Sequence, residues 1–462
     1  MRRSVAAVLV SAVIVAALTA AAWGGLAIPP KTTPPAKTTT PPVTPPATPP
    51  ATPPGTTPAT PPAESNKGRT GTYQSKTSHE GYNYYVYVPK NYSDDNPAGL
   101  HVFFHGQGGG GGAASFGQWA KYFLEAHNLI GINMQYTDGD NGKDTAGKVD
   151  AAVEAIKQVS ADYKIVFGRG AVGSFSGGGL PHESLFSKFG KHAPGGPAPC
   201  PFNHSALYGS NYWGDPTSVA APMSWFVGVG TKEWGMGAPT LGTSQTARAR
   251  QLFDAALKGG TADVYFKVTK DKGHSISDDD VRDSAAQFSR SDLAFAPFVY
   301  EKDYAEPTLA PIARAANTLA LAKAVGMLDR LAADPKADDA TKAKAAALRK
   351  RIDARIEAVM ALAGQLAEDD PALAAYYGGA FTGQLGTHPK AKELKERLAA
   401  ARKKPTFQPA TATCAAFWTN FRNIFQGANV APGAAKFLED AKAKSGEKSL
   451  VGKMATEILL VP

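Results

Sequence analysis

Following Ile165-Val-Phe-Gly168, the chain reads Arg169-Gly-Ala-Val-Gly-Ser-Phe-Ser176-Gly-Gly-Gly179, which is typical of a buried strand that turns sharply into a helix. Ser176 places one hydroxyl at the apex of the turn. In such a nucleophile elbow the serine backbone is strained, so the residues two before and two after it must be small. Here they are Ser174 and Gly178, and the pattern is S-x-S-x-G where G-x-S-x-G is usual. A glycine-rich turn without chemistry is the alternative interpretation.

Strand-like and helix-like segments alternate on both sides of this elbow. Alternating or β-branched apolar runs predict strands at 82–89, 100–104, 129–135, 165–172, 205–209, 223–230 and 263–268. Helical patterns occur near 118–126, 148–160, 243–257 and 278–288. Such alternation predicts an α/β fold with a doubly wound, mostly parallel sheet covered on both faces, over residues 68–300.

The composition changes after residue 300 to Ala, Leu, Lys and Glu. Apolar residues such as Leu321, Val325 and Leu328 recur at helical spacing, and no strand pattern interrupts them. We therefore predict an all-helical C-terminal region over residues 305–462. This region either packs on the sheet domain or binds a partner, and nothing in it indicates catalysis.

The N-terminus combines two segments that differ from the rest of the chain. Residues 1–27 contain two arginines, an uncharged apolar run and small residues, which is typical of a signal peptide and also long enough for a membrane anchor. Residues 28–67 are mostly Pro, Thr and Ala, which favours an extended, disordered linker. We expect a protein that is secreted, periplasmic or at the cell surface, with a membrane or cell-wall tether if the anchor is kept.

The charge distribution argues against nucleic-acid binding, whereas the cysteine content does not decide whether a disulfide forms. The net charge is +9, with 49 Lys and Arg against 40 Asp and Glu. The basic residues form no arginine-rich or aromatic-interleaved patch, so nucleic-acid binding is not expected. The two cysteines, Cys200 and Cys414, form one disulfide or remain two thiols. The oligomeric state is also left open.

A serine at the elbow needs a base and an acid, and both follow it in the chain. His274 lies between the last predicted strand and the last predicted helix, where a loop can bring an imidazole over the elbow. Glu233 follows the strand that ends at Gly230, where a carboxylate can orient that imidazole. The sequence therefore predicts Ser176 as nucleophile, Glu233 as acid and His274 as base, in the Ser…acid…His order of this fold class.

An oxyanion hole requires two amide donors near the elbow. The glycine-rich loop that follows His105 offers the amide of Gln107 or Gly108. Gly177, directly after the predicted nucleophile, offers the second amide.

Aromatic residues near the predicted mouth are candidates for substrate binding. Tyr212, Trp213 and Trp234 line a pocket or, equally, pack at its rim. An acidic loop over residues 138–144 lacks the closing glutamate of a calcium site, so we expect no metal.

Residues 80–290 resemble the α/β-hydrolase superfamily, and within it the secreted esterases that include polyhydroxybutyrate depolymerase-like and feruloyl esterase-like proteins. The resemblance rests on Tyr85-Val-Tyr-Val-Pro89, His105-Gly-x-Gly-Gly109, Arg169 seven residues before Ser176, Gly230-x-x-Glu233 and Gly273-His274-Ser275. It implies the same triad, with Gln107 and Gly177 in the oxyanion hole. The sequence departs from the family pattern at Ser174, where glycine is usual, and at Glu233, where aspartate is more common.

The resemblance implies an exported serine esterase, a carboxylic ester hydrolase that works through an acyl-enzyme and needs no cofactor. Its substrate is then an ester, either small or polymeric. Two other functions fit the same residues: a peptidase on the same fold, and a non-catalytic, hydrolase-like binding protein at the cell surface.

Overall fold

The computed structural model of the chain describes residues 66–106, 114–136, 144–189, 200–210, 223–235, 263–426 and 429–461. All of the described residues belong to one compact unit. Several sequence predictions lie outside the described residues: the signal or anchor segment 1–27, nearly all of the linker 28–67, the acidic loop up to residue 143 and the helix at 243–257.

An eight-stranded sheet with the order β1-β2-β4-β3-β5-β6-β7-β8 organises this unit. Its strands are β1 Gly71–Lys76, β2 Tyr82–Val88, β3 Ala98–Phe104, β4 Leu129–Tyr136, β5 Ile165–Phe175, β6 His204–Tyr208, β7 Ser224–Gly230 and β8 Val264–Thr269. Within this sheet β2 pairs antiparallel with β1 and β4, and every other pair is parallel. The carboxyl ends of β5 to β8 therefore meet at one edge of the sheet, where the sites of open α/β sheets form.

Helices cover both faces of this sheet. They are α1 Thr145–Asp162, α2 Gly179–Phe189 and α3 Asp278–Phe295, together with a short segment in which π-helical Ala120–Leu124 lies between single α-turns. All seven residues of β3 and all seven of β7 are buried, as expected for strands that are paired on both sides and have helices on either face. The predicted fold class is confirmed: a mostly parallel, doubly wound sheet of the α/β-hydrolase type, followed by helices.

The differences from the sequence prediction are local. Strand β1 was not predicted, because its sequence Gly-Thr-Tyr-Gln-Ser-Lys is mostly polar and it forms an edge where only Tyr73 is buried. Strand β5 continues three residues beyond the predicted end, up to the residue before Ser176. Helix α3 extends to Phe295, seven residues past the predicted end.

The C-terminal region is helical, as predicted, apart from a ladder of two-residue strands, β9 Phe425–Gln426 and β10 Asn429–Val430. The predicted apolar face is buried at Leu321, Val325 and Leu328. The helices are α4 Ala310–Asn317, α5 Leu321–Ala333, α6 Asp339–Asp369, α7 Pro371–Leu385, α8 Pro389–Arg402, α9 Phe407–Ile424, α10 Ala434–Ser445 and α11 Leu450–Ile458.

The C-terminal helices pack on the sheet domain, which was one of the two alternatives left open by the sequence. Helix α11 covers the outer edge of β8: the Val268 amide donates to Glu457 Oε2 at 3.2 Å, and the Phe266 amide lies 3.5 Å from Met454 Sδ. The Tyr265 hydroxyl donates to Glu457 Oε1 at 2.8 Å. The helix thus provides partners for edge amides that would otherwise be open to pairing with another chain.

The two cysteines are free thiols. Cys200 is buried, and the Cys414 sulfur accepts a hydrogen bond from Trp418 Nε1 at 2.8 Å. In the described ranges no helix combines the length and the apolar composition that a membrane crossing requires.

Candidate active site

The elbow has the strained backbone that its sequence predicts. Strand β5 ends at Phe175, Ser176 adopts a φ of 51°, and a single 3-10 turn then leads into α2. A non-glycine residue with positive φ is uncommon and costs about 1–3 kcal/mol, so such residues cluster at functional sites. The turn leaves the Ser176 side chain partly exposed at the carboxyl edge of the sheet.

Two glycines allow the backbone to approach Ser176 closely. A Cβ on Gly178 would lie 2.3 Å from the Phe104 carbonyl oxygen, so only glycine lets α2 begin directly against β3. A Cβ on Gly106 would lie 2.7 Å from the Ser176 Cβ. The glycine-rich loop that follows Gly106 therefore begins beside the elbow serine, although Gln107 and Gly108 themselves lie outside the described residues.

Ser174, which stands where the family pattern has glycine, is fully buried in the sheet. Its hydroxyl lies 2.9 Å from His182 Nδ1, and His182 Nε2 lies 2.9 Å from the Ser205 hydroxyl. The extra hydroxyl is therefore part of a buried polar chain that joins β5, α2 and β6, and it does not face the elbow opening.

The predicted acid and base face each other. Glu233 is fully buried just after β7, and its Oε1 lies 3.6 Å from His274 Nδ1. Within the described part of the chain, neither the two Glu233 oxygens nor His274 Nδ1 has a hydrogen-bond partner. A buried carboxylate without a partner is costly, so a shift of about half an ångström that forms the Nδ1–H···Oε1 bond would be favourable.

Three observations place this pair next to the elbow. The His274 ring packs on the Phe175 ring, with centroids 4.6 Å apart and an interplanar angle of 31°. A methyl group on Gly209, at the end of β6, would lie 3.0 Å from His274 Nδ1 and 3.2 Å from Glu233 Oε1. The next residue, Ser210, donates its hydroxyl to the Ser176 carbonyl at 2.6 Å. Acid, base and elbow thus share one edge of the sheet.

Not all of the predicted contacts are present. Among the described residues, no hydrogen bond joins Ser176 to His274. Such catalytic hydrogen bonds are often long in the absence of substrate and shorten when it binds. Gly177 follows Ser176 in the turn, as the oxyanion-hole prediction requires. Tyr212, Trp213 and the side chain of Trp234 lie outside the described residues.

Four other histidines have lowered pKa values and are therefore neutral near pH 7; three of them lie in the core, and His127 is partly exposed. Burial lowers the pKa of His101 and of His182 to about 3 and that of His127 to about 4, and it lowers the pKa of His204 well below its ordinary value. His101 packs between the Phe103 and Phe123 rings. These residues belong to packing and buried hydrogen bonding, and the described ranges contain no group of three or more His, Cys, Asp or Glu side chains that could hold a metal ion.

Sequence reasoning missed several residues that shape this edge. Ser210 orients the elbow backbone, and its position directly after a strand end was the available signal. Asp280 contacts the segments on both sides of His274, and the spacing Ser277-x-x-Asp280 is a recognisable helix-capping pattern. The packing of Phe175 on the imidazole could not be predicted without the three-dimensional structure.

Comparison with known proteins leaves the family open. No family model and no curated protein matches the sequence. Among solved structures, a thermostable esterase aligns at 18% identity over 43% of this chain and 54% of its own, with a TM-score of 0.32. Esterase 2 from Thermogutta terrifontis aligns at 16% identity over 44% of this chain and 84% of its own, with a TM-score of 0.31. Acetyl xylan esterase from Aspergillus awamori aligns at 14% identity over 47% of this chain and 99% of its own, with a TM-score of 0.33. Because these TM-scores are below 0.5, the fold assignment here rests on the sheet order and the elbow.

Proposed function

We propose that this chain is a serine hydrolase that cleaves carboxylic esters through an acyl-enzyme, with Ser176, His274 and Glu233 as its triad. One observation carries the proposal: the buried Glu233 carboxylate and His274 Nδ1, neither of which has a hydrogen-bond partner among the described residues, face each other at 3.6 Å, and the imidazole packs on the residue before a strained serine. Structural packing alone gives no reason to bury a carboxylate in this way, whereas a triad requires it.

The geometry suggests the following mechanism. Ser176 Oγ attacks the ester carbonyl while His274 Nε2 takes its proton, and Glu233 stabilises the imidazolium through Nδ1. The Gly177 amide and an amide from Gln107 or Gly108 stabilise the oxyanion. His274 then protonates the leaving alcohol, and the same imidazole activates the water that hydrolyses the acyl-enzyme. All of these steps use protein groups and water.

The proposal includes export of the protein, with the N-terminal apolar segment as signal peptide or as tether to a membrane or cell wall. It is supported by the composition of residues 1–67. An extracellular ester, small or polymeric, is then the expected substrate class.

The decisive experiment is activity-based labelling of the purified protein with a fluorophosphonate, followed by mapping of the modified serine. We expect labelling at Ser176 and hydrolysis of chromogenic esters, and Ser176→Ala should lower kcat by at least about 10³-fold and abolish the label. Persistent labelling of Ser176→Ala would contradict the assignment of the nucleophile.

A substrate panel separates the alternative functions. Esters and peptide amides with matched acyl groups are hydrolysed at different relative rates by an esterase and by a peptidase, and we expect faster turnover of the esters. A wild-type protein that hydrolyses neither class and takes no label would support the non-catalytic binding function instead.

A further inference from the structure

We infer that Asp280 is a positioning residue that holds the loop carrying His274 in place for catalysis, an inference that rests on the proposed function. Asp280 lies in the first turn of α3 and is fully buried. It has not been assigned a place in the triad, and its carboxylate does not contact His274 in the structure. Its role would be exerted through the segments on either side of the imidazole.

The Asp280 carboxylate binds three points that surround His274 in sequence. Its Oδ2 accepts from Lys272 Nζ at 2.5 Å and from the Ser277 amide at 2.9 Å, and its Oδ1 accepts from the Thr269 hydroxyl at 3.3 Å. These partners are the end of β8, the residue two before His274, and the residue three after it. One carboxylate thus anchors both ends of the loop that carries the base.

Lys272, which pairs with Asp280, connects the loop that carries the base to the segment that carries the acid. Lys272 is only 8% exposed, so its ammonium has little access to water and depends on Asp280 for its ion pair. The Lys272 carbonyl oxygen accepts a hydrogen bond from the amide of Lys232, the neighbour of Glu233, at 3.0 Å. The Asp271 amide donates to the Thr231 hydroxyl at 2.8 Å. Anchoring Lys272 therefore sets the position of the base segment relative to the acid segment.

The chain offers a matched control one residue away. Asp279 lies in the same helical turn, where it carries the same charge near the same helix N-terminus, but its side chain is 63% exposed. It pairs with Arg282 at 2.6 Å and has no hydrogen bond to the loop. Asp279→Ala therefore removes the same negative charge from the N-terminus of α3 as Asp280→Ala does, but it leaves the hydrogen bonds to the loop intact.

The test compares Asp280→Ala, Asp280→Asn and Asp279→Ala in the full-length protein. A displacement of about 1 Å at a catalytic group costs about 10²-fold in rate, so we expect kcat for a chromogenic ester to fall by about that factor in Asp280→Ala, with KM changed by less than about twofold. Asp280→Asn keeps an oxygen that can accept from the Ser277 amide and should recover part of the loss. Asp279→Ala should keep wild-type kcat.

Hydrogen exchange provides a readout that is independent of activity. Amides of the 270–277 segment should exchange faster in Asp280→Ala than in wild type, and unchanged exchange together with wild-type kcat would overturn the inference. If Asp280→Ala does not fold, Lys272→Met carries the test, because it removes the loop's side of the ion pair and leaves Asp280 capping α3. Wild-type kcat in Lys272→Met would also overturn the inference. Failure of the proposed function looks different, since wild type itself would then lack hydrolysis and phosphonate labelling.

Discussion

At the scale of single residues, Ser174 and Ser176 show how two identical side chains acquire different roles. Two positions apart on an extended strand, they would share a face, but the left-handed turn at Ser176 redirects the second one. Ser174 remains in the sheet, where its hydroxyl meets His182. The residue that departs from the expected glycine therefore has a structural partner of its own.

Replacing Ser174 should reduce stability without removing activity. Ser174→Ala deletes the hydrogen bond to the buried His182 ring, so we expect the free energy of unfolding to fall by about 1–2 kcal/mol in urea denaturation. Because the hydroxyl faces the core, kcat for ester hydrolysis should stay within about threefold of wild type. A loss of activity like that of Ser176→Ala, in a folded protein, would show that Ser174 takes part in the reaction.

How far the site could be predicted depends on which physical signal each residue leaves in the sequence. Glu233 and His274 follow strand ends, and parallel strands bring their carboxyl ends together, so their proximity could be predicted. The link from Ser174 to His182 left no such signal, because it depends on the angle at which α2 crosses β5. The same holds for the 3.6 Å gap between acid and base, which is set by loop packing.

At the scale of elements, the edge of β8 depends on one carboxylate. Glu457 is partly buried, and this burial raises its pKa to about 7. It accepts hydrogen bonds from the Val268 amide and the Tyr265 hydroxyl. The composition of α11 shows that it is amphipathic, but sequence alone does not show which of the sheet's edges it covers.

Removing this carboxylate should loosen the sheet edge. Glu457→Leu leaves two buried donors without that partner, at about 1–3 kcal/mol each, whereas Glu457→Gln keeps an accepting oxygen and should lose less. Denaturant unfolding at fixed pH measures the difference. Glu439→Leu, an exposed position on α10, is the control and should change stability by less than about 0.5 kcal/mol. Equal stability of the two leucine variants would mean that Glu457 does not support the edge.

At the scale of the whole molecule, the helical region and the sheet share their buried polar contacts. The Tyr377 hydroxyl donates at 2.6 Å to Asp263, which also pairs with Arg290 of α3. Gln384 donates to the carbonyl oxygen of Ala294 at 2.8 Å. Sequence composition could separate the two regions at about residue 300, but it could not reveal that they form one compact unit.

Four histidines with lowered pKa values, three of them buried, make the whole fold sensitive to acid. Their pKa values are lower in the folded chain than the ordinary value of about 6.5, so below that pH the unfolded chain binds protons that the folded chain does not. Stability should therefore fall as the pH drops from about 6.5 toward 4, by up to about 1.4 kcal/mol per pH unit for each histidine. Glu457 acts in the opposite sense between its ordinary pKa and about 7, but with one proton against four.

Urea unfolding at pH 7, 6 and 5 measures this slope. His101→Phe removes one of the four groups and should lower the slope by about one proton. A pH-independent free energy of unfolding over this range would contradict the neutral state of these rings.

Helix α11, which covers the edge of β8, is synthesised long after that strand. Tyr265 and Glu457, which hydrogen-bond in the folded protein, are 192 residues apart in the chain. At about 5–20 residues per second, the ribosome makes the helix about 10–40 s after the strand it protects. During that interval the edge of β8 in a nascent chain has no helix over it. If the nascent chain stays unfolded until Glu457 has been translated, β8 cannot pair with the same strand of another chain on the same polysome.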